Sequence, residues 1–258
     1  MSAPPDPSSF TFEPLFAVLG LVATVVYVRA ARIHRPGGWR IASFAAGIAL
    51  IVLSVNSPLE TLAVHYLLMA HLAQNALMAD IAPLLVLLGL NRSMWEGAEA
   101  RFPVIARVIA AFPLLLMLWL AAWYGVHFAP AYQYALRHPT WLNAEHLVLV
   151  VAGFLFWAPV VRSRWWDRSP AVLVPYLVIA FVAASFLGLA FTFIPDPFYT
   201  YYTEVPRLRG ISPAEDQNLG GIIMNTEQAV VFLTMIGFVL FSLADREQRT
   251  AERGEQPG

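Results

Sequence analysis

Cysteine and lysine are both absent from this chain, and each absence removes a branch of chemistry. Without cysteine there is no disulfide, no thiolate zinc site and no covalently attached c-type haem, so any metal must rest on His, Met, carboxylate or amide groups. Without lysine there is no Schiff base and no Walker lysine. Charge itself is scarce: 13% of the 258 residues are charged, where a soluble domain carries about a quarter. Half the usual density cannot cover a water-facing surface, which excludes a soluble enzyme. A net charge of −1 also argues against nucleic acid as a partner, since phosphate binding needs a basic surface.

What the chain has instead is apolar length: 59% hydrophobic residues and a mean hydropathy of +0.62. A bilayer-spanning helix needs about 20 apolar residues. Runs near that length predict an all-α polytopic membrane protein, a bundle of seven transmembrane helices. The expected spans are 14–27, 41–55, 62–89, 104–126, 142–161, 171–194 and 219–243. No long polar stretch separates them, so residues 1–258 read as one domain with polar tails at 1–13 and 244–258, the second expected to be disordered.

Thirteen of the 16 arginines fall in alternate connections and the C-terminal tail, and three (Arg137, Arg207 and Arg209) fall on the other side. The arginine-rich side is expected to be cytoplasmic, with the N-terminus outside and the C-terminus inside. Asp6 and Glu13, with no arginine, precede the first apolar run, the reverse of a secretory signal, so that span is expected to be retained. These features together predict a multi-pass protein of the inner (cytoplasmic) membrane, in contact with lipid.

This topology sorts the six histidines. His34 goes to the cytoplasmic side. His65 and His71 fall in the first turns of the third span, His127 closes the fourth, His138 lies in the next outer loop and His146 opens the fifth. An ionisable group inside a membrane is costly, and five imidazoles toward one face make a functional hypothesis. In HLAQN, His71, Gln74 and Asn75 stand at i, i+3 and i+4 on one helix face, with Met78 a turn further. Imidazole and thioether suit Cu(I), and amides are poor ligands for it. His71 reads equally as a ligand or as an interhelical hydrogen-bonding group; for Gln74 and Asn75 the second reading is favoured. Glu145 reads first as favourable charge at a helix N-terminus, and His127 and His138 as interfacial groups.

The last span opens DQNLGGIIMNTEQ. Asp216 is expected to accept bonds from the free amides of its own helix start. Gly220 and Gly221 permit close helix approach, and Met224 and Glu227 face similarly. Asp80 and Glu227, both within the hydrocarbon, must be paired, protonated or hydrated. The aromatic residues of the preceding loop, PDPFYTYYTEVPRLRGISPAEDQ, suit the headgroup belt, and Trp165 and Trp166 suit its counterpart on the inner face.

Three segments carry a family resemblance. HLAQNALMADIAPLLVLLG, HPTWLNAEHLVLVVAGFLFWAPVV and DQNLGGIIM resemble, in order, the three motifs of the CtaG family of cytochrome c oxidase assembly factors, over about residues 60 to 240. The resemblance implies a seven-helix membrane protein that helps equip a haem–copper oxidase with copper. The family's polar positions fall on His71, Gln74, Glu145, His146, Asp216, Gln217 and Met224. One position departs: where the family motif reads HxxQH, this chain has Asn75, half of an i, i+4 histidine clamp. His65 lies about 120° around the helix from His71 and does not replace it on the same face.

The leading expectation is therefore a membrane assembly factor or metallochaperone, not an enzyme, handling copper at an outer-face site. His71 and His146 are the principal candidate ligands, Met224, Met78 and His65 auxiliary ones, and Gln74, Asn75, Glu145, Asp216 and Gln217 the groups behind them. Its partner is expected to be a haem–copper oxidase subunit or another membrane complex. The alternatives are an accessory subunit or scaffold that keeps the fold without the metal, a copper or ion transporter using Asp80 and Glu227, and a bis-histidine b-type haem protein. Bond-making catalysis has least support, because no nucleophile–base pair is visible.

Overall fold

A computed structural model describes residues 4–162 and 170–254, and every regular element among them is helical. In chain order these are α1 (Pro14–His34), α2 (Gly38–Val55), α3 (Pro58–His65), α4 (Leu68–Ala76), a π-helical turn (Leu77–Ile81), α5 (Ala82–Leu88), α6 (Arg92–Arg101), α7 (Val104–Ala110), α8 (Phe112–Val126), α9 (Ala129–Arg137), α10 (Pro139–Arg162), α11 (Pro170–Phe193), α12 (Tyr201–Glu204) and α13 (Pro213–Gly254). Prolines mark many of the starts, as at Pro14, Pro58, Pro139 and Pro213. A first-turn proline lacks only a hydrogen that the helix would not use. Six helices are long and apolar enough to cross a membrane, and a seventh span arises if α7 and α8 are taken together. The chain is a multi-pass membrane protein.

Two expected spans are interrupted. The third does not begin at Leu62. The chain breaks at Tyr66–Leu67, where both amides turn back to the Leu62 carbonyl, and the apolar helix runs from Leu68 to Leu88. His65 thereby becomes the last residue of α3 rather than part of the span. The fourth is bent by 78° between α7 and α8, with Pro113 just past the bend. The tail expected to be disordered from Ala244 continues α13 as helix to Gly254. Trp165 and Trp166, assigned to the inner aromatic belt, lie outside the described residues.

The centre of the bundle is α4 to α5 against α10. In their most apolar stretches 72% and 67% of residues are buried, against 17% in α1, so α1 is peripheral. Close approach at the centre requires glycine at Gly153: a Cβ there would run into the Ala79 carbonyl of the π turn and the Pro83 ring. Gly221 likewise admits the Gly188 carbonyl of α11, which a Cβ would meet at 2.5 Å. Around these contacts Trp119, Trp123, Phe156, Trp157 and Phe232 form the main apolar core.

The loops gather at two ends. At one, Asn91 donates to the His34 carbonyl, Arg40 to the Leu88 and Leu90 carbonyls, and Arg162 pairs with Glu99. At the other, Asn143 donates to Glu13 and the 195–212 loop is laced to α3 and α9, Tyr201 donating to the Val64 carbonyl at 2.9 Å and Thr200 to Gln133 at 2.6 Å.

Gly153→Leu is expected to wedge α10 from the π turn and to destabilise the protein by about 1–3 kcal/mol or more. Gly237→Ala, whose added Cβ meets nothing within 4 Å, is expected to be neutral. Thermal unfolding of both variants in detergent checks this; equal midpoints would contradict the packing account.

Candidate metal centre

Helix α4 brings His71 and Asn75 onto the face turned to α10, and α10 returns Glu145 and His146. Because α10 starts at Pro139, Glu145 sits in its second turn, pointing inward. It is not the exposed N-terminal charge that the sequence favoured: its carboxylate is buried, accepts from Asn75 Nδ2 at 3.1 Å and lies 3.2 Å from His71 Nε2. The His71 and His146 rings are 5.7 Å apart at 70°. One ligand atom from each of His71, Glu145 and His146 falls within 4.8 Å of the others, and all three residues are buried.

Asn75 therefore does a specific thing at the position where the family motif has histidine. Its amide holds one oxygen of Glu145 beside His71. Gln74 diverges from the expected stripe: its amide donates to the Ser54 carbonyl at 2.8 Å and to the Glu60 carboxylate, joining α4 to α2 and α3. Glu60 went unnoticed in the sequence, where Ser57-Pro-Leu-Glu60 has the form of a capping box. Ser57 does cap Leu59, but Glu60 turns inward, and burial pushes its carboxyl up to about 7 against the opposing hydrogen bond from Gln74.

Asp216 also differs from expectation. Its carboxylate oxygens accept from the amides of Leu68 and Met69 at 2.8 and 2.9 Å. It thus caps α4 across the bundle rather than α13 itself, fixing the turn that carries His71. Gln217 ties the outer loop down, accepting from Phe198 N–H at 2.7 Å and donating to the Ile194 carbonyl at 3.0 Å.

The outer aromatics are likewise not all at the headgroups. Tyr202 is buried and its hydroxyl lies 3.2 Å from His71 Nδ1. Tyr199 is buried and stacks on Tyr132 at 4.1 Å, and Tyr132 packs 4.8 Å from His71. His127, expected at the interface, is buried with Nδ1 at 2.7 Å from the Trp123 carbonyl. His138 is exposed against Tyr134, as expected of an interfacial group. A tyrosine-rich loop and a belt share one composition, and only tertiary contacts separate them.

The remaining candidates lie in other surroundings. Met78 is buried with Phe16, Ile51 and Val150, and the Phe16 ring is 6.2 Å from His146. Met224 is in the main apolar core. His65 is half-buried at the end of α3 and is not one of the three clustered groups. Asp80, on the π turn, and Glu227 have no hydrogen-bond partner for their carboxyl oxygens.

Whether the cluster suits a metal is tested by its orphaned atoms. Both ring nitrogens of His146, and Nε2 of His71, are buried without a hydrogen-bond partner and are open to a ligand. Two imidazoles and a carboxylate are donors for copper or zinc, so the residues fit. A groove of about 560 Å³ between α8–α9 and α10, lined by Phe128, Tyr134, Trp141, Ala144 and Val148, reaches Glu145.

Removing both acceptors from the start of α4 by Asp216→Ala is expected to cost about 1–3 kcal/mol, with Asp216→Asn, which keeps one, in between. The unfolding midpoint in detergent is the readout, and an unchanged midpoint in the alanine variant would remove Asp216 from its capping role.

The model of the cytochrome c oxidase caa3 assembly factor family (Caa3_CtaG) matches residues 21–246. No curated protein and no solved structure matches the chain. With the family model covering nearly the whole helical bundle, the chain belongs to the cytochrome c oxidase caa3 assembly factor family.

Proposed function

We propose that this assembly factor handles copper as cargo for a haem–copper oxidase, held between α4 and α10 by His71, Glu145 and His146. The observation that carries the reading is the juxtaposition of two buried imidazoles and a carboxylate, with His146 offering both nitrogens unpartnered. Imidazoles are good copper ligands, and Glu145 compensates cationic charge that the apolar surroundings would otherwise penalise. The work is ligand exchange, with no organic substrate turned over. The arginine distribution supports a cluster toward the outer face of the cytoplasmic membrane, and the groove at Glu145 offers a route for exchange with the oxidase.

Asn75 tunes the site downward. An imidazole at that position, one turn from His71 and facing Glu145, would be a further ligand; the amide of Asn75 orients Glu145 instead. A second reading rests on the same contact: with Asn75 and His71 both on Glu145, the cluster closes on itself and serves as the polar joint of a metal-free scaffold in a larger complex.

Metal analysis of the purified protein after copper loading separates the two. The copper reading predicts one copper per chain, lost in His71→Ala and His146→Ala, and an affinity raised at least tenfold in Asn75→His. Copper no higher than background in the wild type, with one equivalent gained in Asn75→His alone, is the scaffold's result and contradicts the copper reading.

A further inference from the structure

The end of α3 leaves carbonyls unpaired. The Leu67 amide, which would ordinarily bond to the Ala63 carbonyl, turns to Leu62 instead at 2.8 Å, and the last carbonyls of a helix need outside donors. Two tyrosines of the outer loop supply them: Tyr202 donates to Ala63 at 2.6 Å and Tyr201 to Val64 at 2.9 Å. A phenol has one proton and two lone pairs, and a carbonyl can only accept. The single proton of Tyr202 is therefore committed to Ala63.

The same Tyr202 oxygen stands 3.2 Å from His71 Nδ1. It has no second proton to give, and two bare lone pairs at that distance repel. The hydrogen between them belongs to Nδ1. Nε2 is the nitrogen left facing the cluster, 3.2 Å from Glu145 Oε1. We infer that Tyr202 is a positioning residue: through α3 it fixes the His71 proton on Nδ1 and so offers Nε2 to the cation that the cluster receives. This deepens the copper reading for its consequence, while the proton on Nδ1 follows from the hydrogen bonds of Tyr202 alone.

A cation entering the cluster takes the place of any proton between Nε2 and Glu145 Oε1, that proton leaving to solvent, while the Nδ1 proton stays on the ring and remains donated to Tyr202. A histidine ligand held in this way keeps its ring orientation and gains basicity. The loop that carries Tyr202 is anchored by Gln217, so the residue selecting the ligand nitrogen belongs to a segment separate from either ligand helix.

The test uses full-length protein in detergent with ring-¹⁵N histidine, His71 being assigned by its absence in His71→Gln. Long-range ¹H–¹⁵N correlation reports which nitrogen carries the proton. Wild type is expected to show a protonated Nδ1, and Tyr202→Phe, which keeps the buried ring and removes the oxygen, is expected to lose that preference. Cu(I) affinity, read by competition with a chromophoric chelator, is expected to fall about 10- to 100-fold in Tyr202→Phe. Tyr201→Phe removes the neighbouring anchor without touching His71 and is expected to move neither readout. A bare Nδ1 in wild type, an unchanged tautomer in Tyr202→Phe, or the same shifts in Tyr201→Phe would each overturn the inference. Wild type that binds no Cu(I) yet shows the predicted tautomers would support Tyr202 and defeat the copper reading separately.

Discussion

Inside an apolar bundle, His71 and Glu145 have to satisfy each other, and much of the surrounding structure follows from that pairing. Charge or polarity taken out of water is tolerated only with partners in good geometry. Asn75 fixes one oxygen of Glu145, Tyr202 meets the far nitrogen of His71, and Asp216 holds the helix turn from which His71 projects. These groups come from α4, α10, α12 and α13, so the pair is a point at which four elements are referred to one another. Neither nitrogen of His146 has a hydrogen bond, and His71 Nε2, though 3.2 Å from Glu145 Oε1, makes none either.

Close packing makes the pairing geometrically possible. With glycine at 153 the α10 backbone reaches the π turn that follows α4, and the two histidine-bearing helices then run side by side at the centre while α1 stays at the margin. A π turn inserts a residue and re-aims the helix beyond it. Asp80 sits within that insertion with no hydrogen bond to its carboxyl oxygens and in electrostatic contact with Glu227, which makes the turn a further polar feature of the bundle interior.

The helical class and most spans were legible in the sequence because a bilayer demands length and apolarity, and both are read directly from composition in a window. That His71 and His146 lie toward one end was legible too, since topology alone puts the start of the third span and the start of the fifth there; that their rings meet was not. Contacts that depend on where a side chain points were not. Glu145 looked like a helix-start charge because the start of α10 was set three residues late, at Leu142 instead of Pro139. Asp216 looked like a cap for its own helix because capping is local in most proteins, whereas here the carboxylate reaches the amides of another. Tyr199 and Tyr202 looked like belt residues because burial of an outer loop leaves no periodic signal. The break at Tyr66–Leu67, with no proline or glycine to announce it, is set by tertiary anchoring of the α3 carbonyls.

The central claim is that His71, Glu145 and His146 ligate one copper ion. X-ray absorption at the copper edge on the loaded protein tests it most directly. The account predicts a nitrogen/oxygen coordination shell with the outer scattering of two imidazole rings. A shell dominated by sulfur, or one without imidazole scattering, would contradict it.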